Sequence, residues 1–240
     1  MPSTTPDETQ LAEGLNPAEA IGLLDDICRE ADLGVRLEQI SRRFLGRPYV
    51  EGPLGGGADV PEVLRITLEA FDCVTYLEAV LALACSATLN DFVVTVRRIR
   101  YEREEIDWFH RNHYMTDWAR NNEAEGFIAN LTAGPATIEK TCTLDLIPGL
   151  PAKTAAFNYF PKRSLLHVAE LVETGDLMFF VSTRSDLDVF HSGLLIKREA
   201  QMMLRHATRS IGAVIEQDLR EFVAKNEPAG FVLLRPVCQQ

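Results

Sequence analysis

The stretch FDCVTYLEAVLALA, residues 71–84, has apolar side chains at most positions and contains neither glycine nor proline. Such a run predicts a helix that is buried on most of its sides. Asp72 is a residue type that commonly caps helix N-termini, and Cys73 follows it in the first turn. We therefore expect a buried helix that carries a cysteine at its N-terminal end.

Other helical patterns lie on both sides of this run. Asn16-Pro17-Ala18-Glu19 combines an N-cap residue type with proline in the first turn, and apolar residues follow at helical spacing up to residue 28. Further helices are predicted at residues 37–45 and 90–100. Residues 46–62 are dense in glycine and proline and predict a long loop.

After residue 126 the pattern changes to short apolar or alternating runs separated by turn residues, which is typical of strands. The predicted strands are residues 137–144, 176–182, 189–197, 202–207 and 231–236, and a final helix is predicted at 216–224. Helices followed by an antiparallel sheet give an α+β fold class. We expect an N-terminal helical extension at residues 1–43 and a single compact domain at 44–240.

The composition is that of an ordinary globular protein. The chain has 240 residues, of which 46% are hydrophobic and 25% charged, so it can bury a full core. The formal net charge of −11 repels phosphate backbones, which makes nucleic acid an unfavourable partner. No stretch reaches the roughly 18 apolar residues that a membrane-spanning helix needs.

The N-terminal sequence and the cysteines bear on the compartment. Residues 1–15 show neither the basic nor the apolar region of a secretory signal, so we expect a cytoplasmic protein, with periplasmic placement by another route as the alternative. The five cysteines are scattered and lack C-x-x-C spacing, which favours reduced thiols over a disulfide framework or a zinc site.

Cys73 is a candidate nucleophile because of its position at a helix start. Unpaired backbone N–H groups and the positive end of the helix dipole stabilise a thiolate, so we expect the pKa of Cys73 to be lowered. The same N–H groups can later stabilise an oxyanion. The alternative is a cysteine that only fills the core.

A thiolate nucleophile also needs a base whose ring is held in one orientation. Of the five histidines, His191 and His206 fall in neighbouring predicted strands, which a turn near residues 199–201 would pair. One imidazole would then face Cys73 while the other hydrogen-bonds it from behind, as in a catalytic triad with histidine in the third role. The alternative is a pair of structural histidines.

Residues 108–118 offer a second group of chemically active side chains. His110, His113 and Asp117 have a spacing that zinc hydrolases use, but an H-x-x-H pair alone is weakly specific, and we expect neither metal nor cofactor. The segment instead indicates a wall that contacts substrate. Its candidate binding residues are Trp108, Arg111, Asn112, His113, Tyr114, Asp117 and Trp118.

Several segments together resemble one known family. They are FLGRPYVEGPLG (44–55), PEVLRITLEAFDCVTYLEAVLALA (61–84), RIRYEREEIDWFHRNHYMTDWARNN (98–122), GDLMFFVS (175–182), LDVFHSGLLI (187–196), LRHAT (204–208) and GFVLLRPV (230–237). The chain is similar over about residues 44–236 to the N-acetylmuramoyl-L-alanine amidase-like family, a branch of the NlpC-type papain-like cell-wall amidases.

This resemblance implies a papain-like core and a cysteine amidase. Cys73 would be the nucleophile, His191 the general base and His206 the orienting residue. The substrate would be a peptidoglycan fragment, cut between N-acetylmuramic acid, in its 1,6-anhydro form, and L-alanine. Apart from the resemblance, we expect the Cys73 N–H and, as a second donor, the Tyr49 hydroxyl to hold the oxyanion, and Asp72 is a candidate binding residue besides its expected role as a helix cap.

Other activities remain open at the level of sequence. The same residues would serve an endopeptidase that cuts between γ-D-glutamate and a diamino acid, or an acyltransferase that passes the thioester to an amine. A muropeptide-binding module without turnover and a zinc hydrolase are further alternatives. Nothing in the sequence indicates the oligomeric state.

Overall fold

The computed structural model describes residues 12–27, 32–199 and 201–238, and it has helices on both faces of an antiparallel sheet. The helices are α1 (Pro17–Asp26), α2 (Leu33–Arg43), α3 (Cys73–Cys85), α4 (Leu89–Arg100), α5 (Met115–Ala124), α6 (Leu165–Leu171) and α7 (Leu219–Asn226). The strands are β1 (Ile128–Asn130), β2 (Ile138–Leu144), β3 (Lys153–Pro161), β4 (Leu177–Val181), β5 (Val189–Lys197), β6 (Met202–Thr208), β7 (Ala213–Asp218) and β8 (Gly230–Pro236).

Helix α3 is the buried helix that the opening stretch predicts. Every residue from Thr75 to Ala84 is buried. Asp72 is the N-cap: its carboxylate accepts hydrogen bonds from the backbone N–H groups of Val74 (3.1 Å) and Thr75 (2.8 Å). The Thr75 hydroxyl in turn accepts from the Asp72 N–H (3.0 Å), which completes a capping box.

The other predicted helices are present with shifted bounds. Asn16 caps α1, as its side chain predicts, and accepts from two backbone N–H groups of the first turn. Asp32 caps α2 and Thr88 caps α4, so both helices begin earlier than the apolar spacing indicates. Cys28, which the prediction places in the first helix, lies outside the described residues.

The sheet has the strand order β2-β3-β8-β4-β5-β6-β7, and β1 pairs with β8. All of its named pairings are antiparallel. The five predicted strands are confirmed within one residue at each end, whereas β1, β3 and β7 were not predicted. Strand β7 was assigned to the final helix, which begins only at Leu219 because Asp218 caps it.

Each face of the sheet contributes to a different apolar cluster. Leu194 and Ile196 of β5 face the large cluster that contains α1 to α4. Leu195, between them, faces the smaller cluster with α6 and α7. This alternation is the two-residue period of a strand covered on both faces, and together with the helices it confirms the α+β class.

The structure contradicts the prediction that all cysteines are reduced. Cys85, at the end of α3, and Cys238, just after β8, form a disulfide with their Cα atoms 5.4 Å apart. The two residues are 153 positions apart in the sequence, and such a spacing does not predict a disulfide. Cys73 and Cys142 are free.

None of the helices in the described residues has the length and apolar character required to cross a membrane.

Removing the disulfide should destabilise the fold. We expect Cys85→Ser combined with Cys238→Ser to lower the free energy of unfolding by about 2–5 kcal/mol, because the bond restricts the unfolded chain. Urea denaturation with and without dithiothreitol measures this. Dithiothreitol should weaken the wild type and leave the double variant unchanged; a wild type indifferent to the reductant would contradict the pairing.

Candidate active site

A cavity of about 170 Å³ lies where the start of α3 meets β5, and both Cys73 and His191 line it. Its remaining walls come from residues 113–115, from Leu146 and Ile147, and from residues 187–190. The tertiary fold thus brings together a cysteine and a histidine that are far apart in sequence. Among the described contacts, none is a hydrogen bond between the Cys73 sulfur and the His191 ring.

Ser192, the residue after His191, joins β5 to the cysteine. Its hydroxyl donates to the Cys73 carbonyl oxygen at 3.2 Å, and its hydroxyl and backbone both hydrogen-bond the thiol. Consecutive strand residues point to opposite faces of a sheet, so Ser192 faces α3 while the His191 ring packs on the side of α7. Sequence reasoning missed Ser192, although its place beside His191 in a strand is the signal that could have found it.

The expectation of a lowered cysteine pKa is wrong for this site. Burial, together with the neighbouring Asp72 carboxylate, raises the pKa of Cys73 to about 12, although hydrogen bonds from Ser192 act in the opposite direction. The helix N-terminus is therefore outweighed by desolvation and by the carboxylate that caps the helix. The resting cysteine is a neutral thiol.

Strands β5 and β6 pair as the sequence predicts, and they place the two imidazoles in contact. His191 Nε2 lies 2.6 Å from His206 Nδ1. Phe222 of α7 packs against both rings, with centroid distances of 5.3 Å to each. Since Nε2 of His191 lies beside His206, Nδ1 is the ring nitrogen for which the described contacts include no hydrogen bond.

Both histidines are neutral in the folded protein. Burial lowers the pKa of His191 to about 4. The pKa of His206 falls to about 3, through burial and through the charge that His191 would carry. A neutral imidazole can accept a proton, so the arrangement is chemically able to provide a base.

Gln217 of β7 extends this pair to a chain of three side chains. Its amide nitrogen lies 2.7 Å from Nε2 of His206, on the side opposite His191. Sequence reasoning missed this residue because it assigned residues 216–224 to a helix. Strand β7 pairs with β6 instead, and that pairing sets Gln217 beside His206.

Two further candidates lie at the cavity or next to it. Tyr114 lines the cavity, and its hydroxyl accepts a hydrogen bond from the Leu146 N–H at 2.9 Å. Tyr49 is bridged to Phe71, and its pKa is raised by burial and by the neighbouring charges of Cys73 and Asp72. Both tyrosines are therefore placed near the start of α3.

The segment 108–118 is only partly a wall of the cavity. His113 lines it, and burial lowers the pKa of His113 to about 4 while its Nε2–H donates to the Trp108 carbonyl oxygen at 2.7 Å. Trp118 was predicted as a ring face that contacts substrate, but it is fully buried and donates to Glu78, so its ring is not open to a ligand.

Arg111, Asn112 and Asp117 do not line this cavity. The Arg111 guanidinium pairs with Glu62 at 3.0 Å and lies over the Trp108 ring. The Asn112 amide is buried and donates to the carbonyl oxygen of Ile99. All three line a neighbouring cavity, and Asp117 lines the largest one as well, so their assignment as substrate contacts stays a prediction.

Over the described parts of the chain, no group of three or more His, Cys, Asp or Glu side chains is arranged to hold a metal ion. His110 instead lies beside Asp107, with Nδ1 3.2 Å from the carboxylate.

The fold and this cavity define an α+β protein that presents Cys73 and His191 at the junction of a helix and a sheet, with His206 fully buried against His191. The chain belongs to the AmiA-like family, described as N-acetylmuramoyl-L-alanine amidase-like, whose model matches residues 39–231. It is therefore a member of a peptidoglycan amidase-like family of hydrolases. No functionally curated protein matches the chain.

Solved structures share the fold at low sequence identity. A protein of Legionella pneumophila, assigned to the DUF1460 family, is 20% identical with a TM-score of 0.81, over 97% of this chain and 98% of that one. An N-acetylmuramoyl-L-alanine amidase of Bacteroides uniformis is 23% identical with a TM-score of 0.77, over 86% and 100%. A Bacteroides fragilis protein provisionally named a xylanase is 25% identical with a TM-score of 0.72, over 81% and 98%.

Burial lowers the pKa values of His113, His191 and His206, so all three histidines should make stability depend on pH. Between pH 6.5 and 4 the unfolded chain binds protons that the folded histidines do not, so the free energy of unfolding should fall with decreasing pH, by about 2–3 kcal/mol per histidine. Urea denaturation across this range measures the slope. His206→Gln should flatten it, whereas His167→Gln on the exposed side of α6 should not; equal slopes in all three proteins would refute the assignment.

Proposed function

We propose that the chain is a cysteine amidase with an NlpC-type, papain-like core. It hydrolyses the amide between N-acetylmuramic acid, in the 1,6-anhydro form, and L-alanine in peptidoglycan fragments. The observation that carries this proposal is the shared cavity of Cys73 and His191, with His206 hydrogen-bonded behind His191, in a member of an amidase-like family.

In the first step the Cys73 sulfur attacks the carbonyl carbon of the lactyl amide, and the thiol proton moves to Nδ1 of His191. Since the pKa of the thiol is raised to about 12 and that of His191 lowered to about 4, an ion pair does not form in advance. Proton transfer therefore accompanies formation of the carbon–sulfur bond, as in general base catalysis.

The attack gives a tetrahedral oxyanion that needs hydrogen-bond donors. The Cys73 backbone N–H belongs to the first turn of α3, where N–H groups have no helical partner. We assign this N–H as one donor and the Tyr49 hydroxyl as the other. Donors fixed by the fold before reaction stabilise the transition state without reorganisation.

Collapse of the oxyanion breaks the carbon–nitrogen bond. His191 delivers its proton to the leaving nitrogen of L-alanine, and the muramyl lactyl group stays on sulfur as a thioester. Water then attacks the thioester, gives a proton to His191, and the proton returns to the departing sulfur. The products are the free muramyl acid and the peptide, and the thiol is regenerated.

His206 and Gln217 act as positioning residues behind the base. When His191 is protonated, its Nε2–H donates to Nδ1 of His206, so His206 carries its proton on Nε2. The Nε2–H of His206 needs an acceptor. Rotating the Gln217 amide by half a turn exchanges its nitrogen and oxygen, which places the oxygen where the nitrogen lies, 2.7 Å from Nε2 of His206. The chain therefore stabilises the imidazolium, which is the role of the third residue in a triad.

We further propose that the protein acts in an oxidising compartment, which is the periplasmic alternative. A disulfide joins Cys85 and Cys238, and such bonds are rare where glutathione keeps thiols reduced. To distinguish the two compartments, thiols are blocked in the cells before the protein is extracted, and urea denaturation is then compared with and without dithiothreitol. A protein that dithiothreitol destabilises carried the disulfide in the cell, which indicates the oxidising compartment.

Substitution of Cys73 tests the proposed function directly. Cys73→Ala should abolish cleavage of a purified anhydro-muropeptide, because no other group can form the thioester. Mass analysis of the products identifies the bond: free anhydro-muramyl acid indicates the amidase, and a cut after γ-D-glutamate indicates the endopeptidase.

Cys142→Ala is the matched control, since Cys142 is the other free cysteine among the described residues and lies outside the cavity. It should retain wild-type activity. Cleavage by Cys73→Ala at the wild-type rate would sink the proposal.

Gln217 should affect the rate and its pH dependence together. Gln217→Leu removes the acceptor from His206, and we expect kcat to fall roughly 10- to 100-fold, as for loss of one hydrogen bond to a charged group, with KM nearly unchanged. The acid limb of the pH–rate profile should move to lower pH, because the imidazolium is less stable.

Gln217→Glu supplies a carboxylate acceptor at the same position. It should move the acid limb to higher pH and recover much of the lost rate. A purely structural role for Gln217 predicts lower activity in both variants with the acid limb in place, and that result would contradict the positioning role.

A further inference from the structure

A second cavity lies next to the cysteine cavity and is more than three times as large. Its volume is about 610 Å³, against about 170 Å³ around Cys73. Met115 and Val189 line both cavities. The large cavity therefore shares a wall with the cysteine cavity, as does a smaller cavity of about 150 Å³ through His113 and Tyr114, and of the two only the large one has room for the greater part of a ligand bound at Cys73.

One wall of the large cavity is a free strand edge. Strand β3 pairs with β2 from Lys153 to Tyr159, but it meets β8 only at Phe160 and Pro161. Residues 153–158 all line the cavity, and in the part of the chain that the structure describes no strand pairs with their second edge. Backbone N–H and C=O groups on such an edge can bind the amides of an extended chain.

The opposite wall carries charges from α5. Asp117 forms an ion pair with Arg120 of the same helix, at 3.1 Å, and a second ion pair with Lys153 of β3. The Arg120 and Lys153 side chains remain 67% and 42% exposed, so each can also contact an anionic ligand. Phe179 and Val232 supply apolar surface between the two walls.

We propose that this large cavity binds the peptide stem of the substrate, with stem amides on the outer edge of β3 and a stem carboxylate at Lys153 and Arg120. The inference rests on the proposed amidase function. It assigns the leaving-group side of the scissile bond to the large cavity and leaves the sugar on the other side of Cys73.

The peptide half fits this cavity better than the sugar half for a chemical reason. A stem of L-alanine, γ-D-glutamate and a diamino acid carries consecutive amides, free carboxylates and an amine. The cavity offers the complementary set: unpaired backbone groups, two cations and the carboxylates of Asp117 and Glu123. A strand edge has no comparable match to a pyranose ring.

Kinetics with two substrates test the assignment. Anhydro-N-acetylmuramoyl-L-alanine carries almost no stem, whereas the corresponding tripeptide substrate carries the full one. We expect the wild type to prefer the tripeptide substrate at least tenfold in kcat/KM. Lys153→Glu and the cavity-filling Ala156→Trp should remove most of this preference and leave the short substrate nearly unaffected.

The control is Lys225→Glu, an exposed charge reversal on α7, which should keep the preference. Equal losses for both substrates in the two cavity variants, or no loss for either, would overturn the inference. So would concentration-dependent dimerisation that Ala156→Trp abolishes, because the edge of β3 would then bind a second copy of the chain.

Binding of the free tripeptide to Cys73→Ala separates this inference from the proposed function. Calorimetry should detect the L-alanyl-γ-D-glutamyl-diamino acid peptide and show at least tenfold weaker binding after the added Lys153→Glu substitution. If neither substrate is cleaved but the peptide binds in this way, the amidase proposal fails while the peptide site stands. If cleavage occurs and the peptide does not bind, only the site inference fails.

Discussion

The burial of α3 against the centre of the sheet is the constraint on which the candidate site depends. The helix is apolar on nearly all sides, so its position is set by packing on β5 and β6 rather than by its few polar groups. The capped N-terminus of α3 lies against Ser192 of β5, whose hydroxyl donates to the Cys73 carbonyl oxygen. Cys73 therefore lies beside the strand that carries His191. Each further residue of the site follows from strand order: β6 supplies His206 and β7 supplies Gln217.

The same burial decides the electrostatics. An apolar setting raises the pKa of the thiol and lowers those of both imidazoles, so all three groups are neutral at rest. Asp72 adds to this effect, because the carboxylate that stabilises the helix start also disfavours a negative sulfur beside it. In the proposed mechanism, the His191 imidazolium and the substrate oxyanion therefore form together, when the sulfur attacks the substrate carbonyl.

The two cavities divide the proposed work between chemistry and recognition. The small cavity is lined by Cys73 and His191, and the large one exposes a strand edge and charged side chains. Strand β3 pairs with β8 only at Phe160 and Pro161, and its residues 153–158 line the larger cavity instead. Since Met115 and Val189 belong to both, the start of α5 and the start of β5 set the boundary between them.

Residue types and spacing were enough to predict α3 with its Asp72 cap, five of the strands, and the pairing of the strands that carry His191 and His206. These features depend on local periodicity and capping, which the chain encodes over a few neighbouring residues. Gln217, Ser192, the Cys85–Cys238 disulfide and the burial of Trp118 were missed or mispredicted. The sequence by itself thus determined α3, five of the eight described strands and the positions of one cysteine and two histidines in them. Only the tertiary structure decided which side chains surround those three groups and that they rest uncharged, because desolvation and contacts between distant segments arise only when the chain packs.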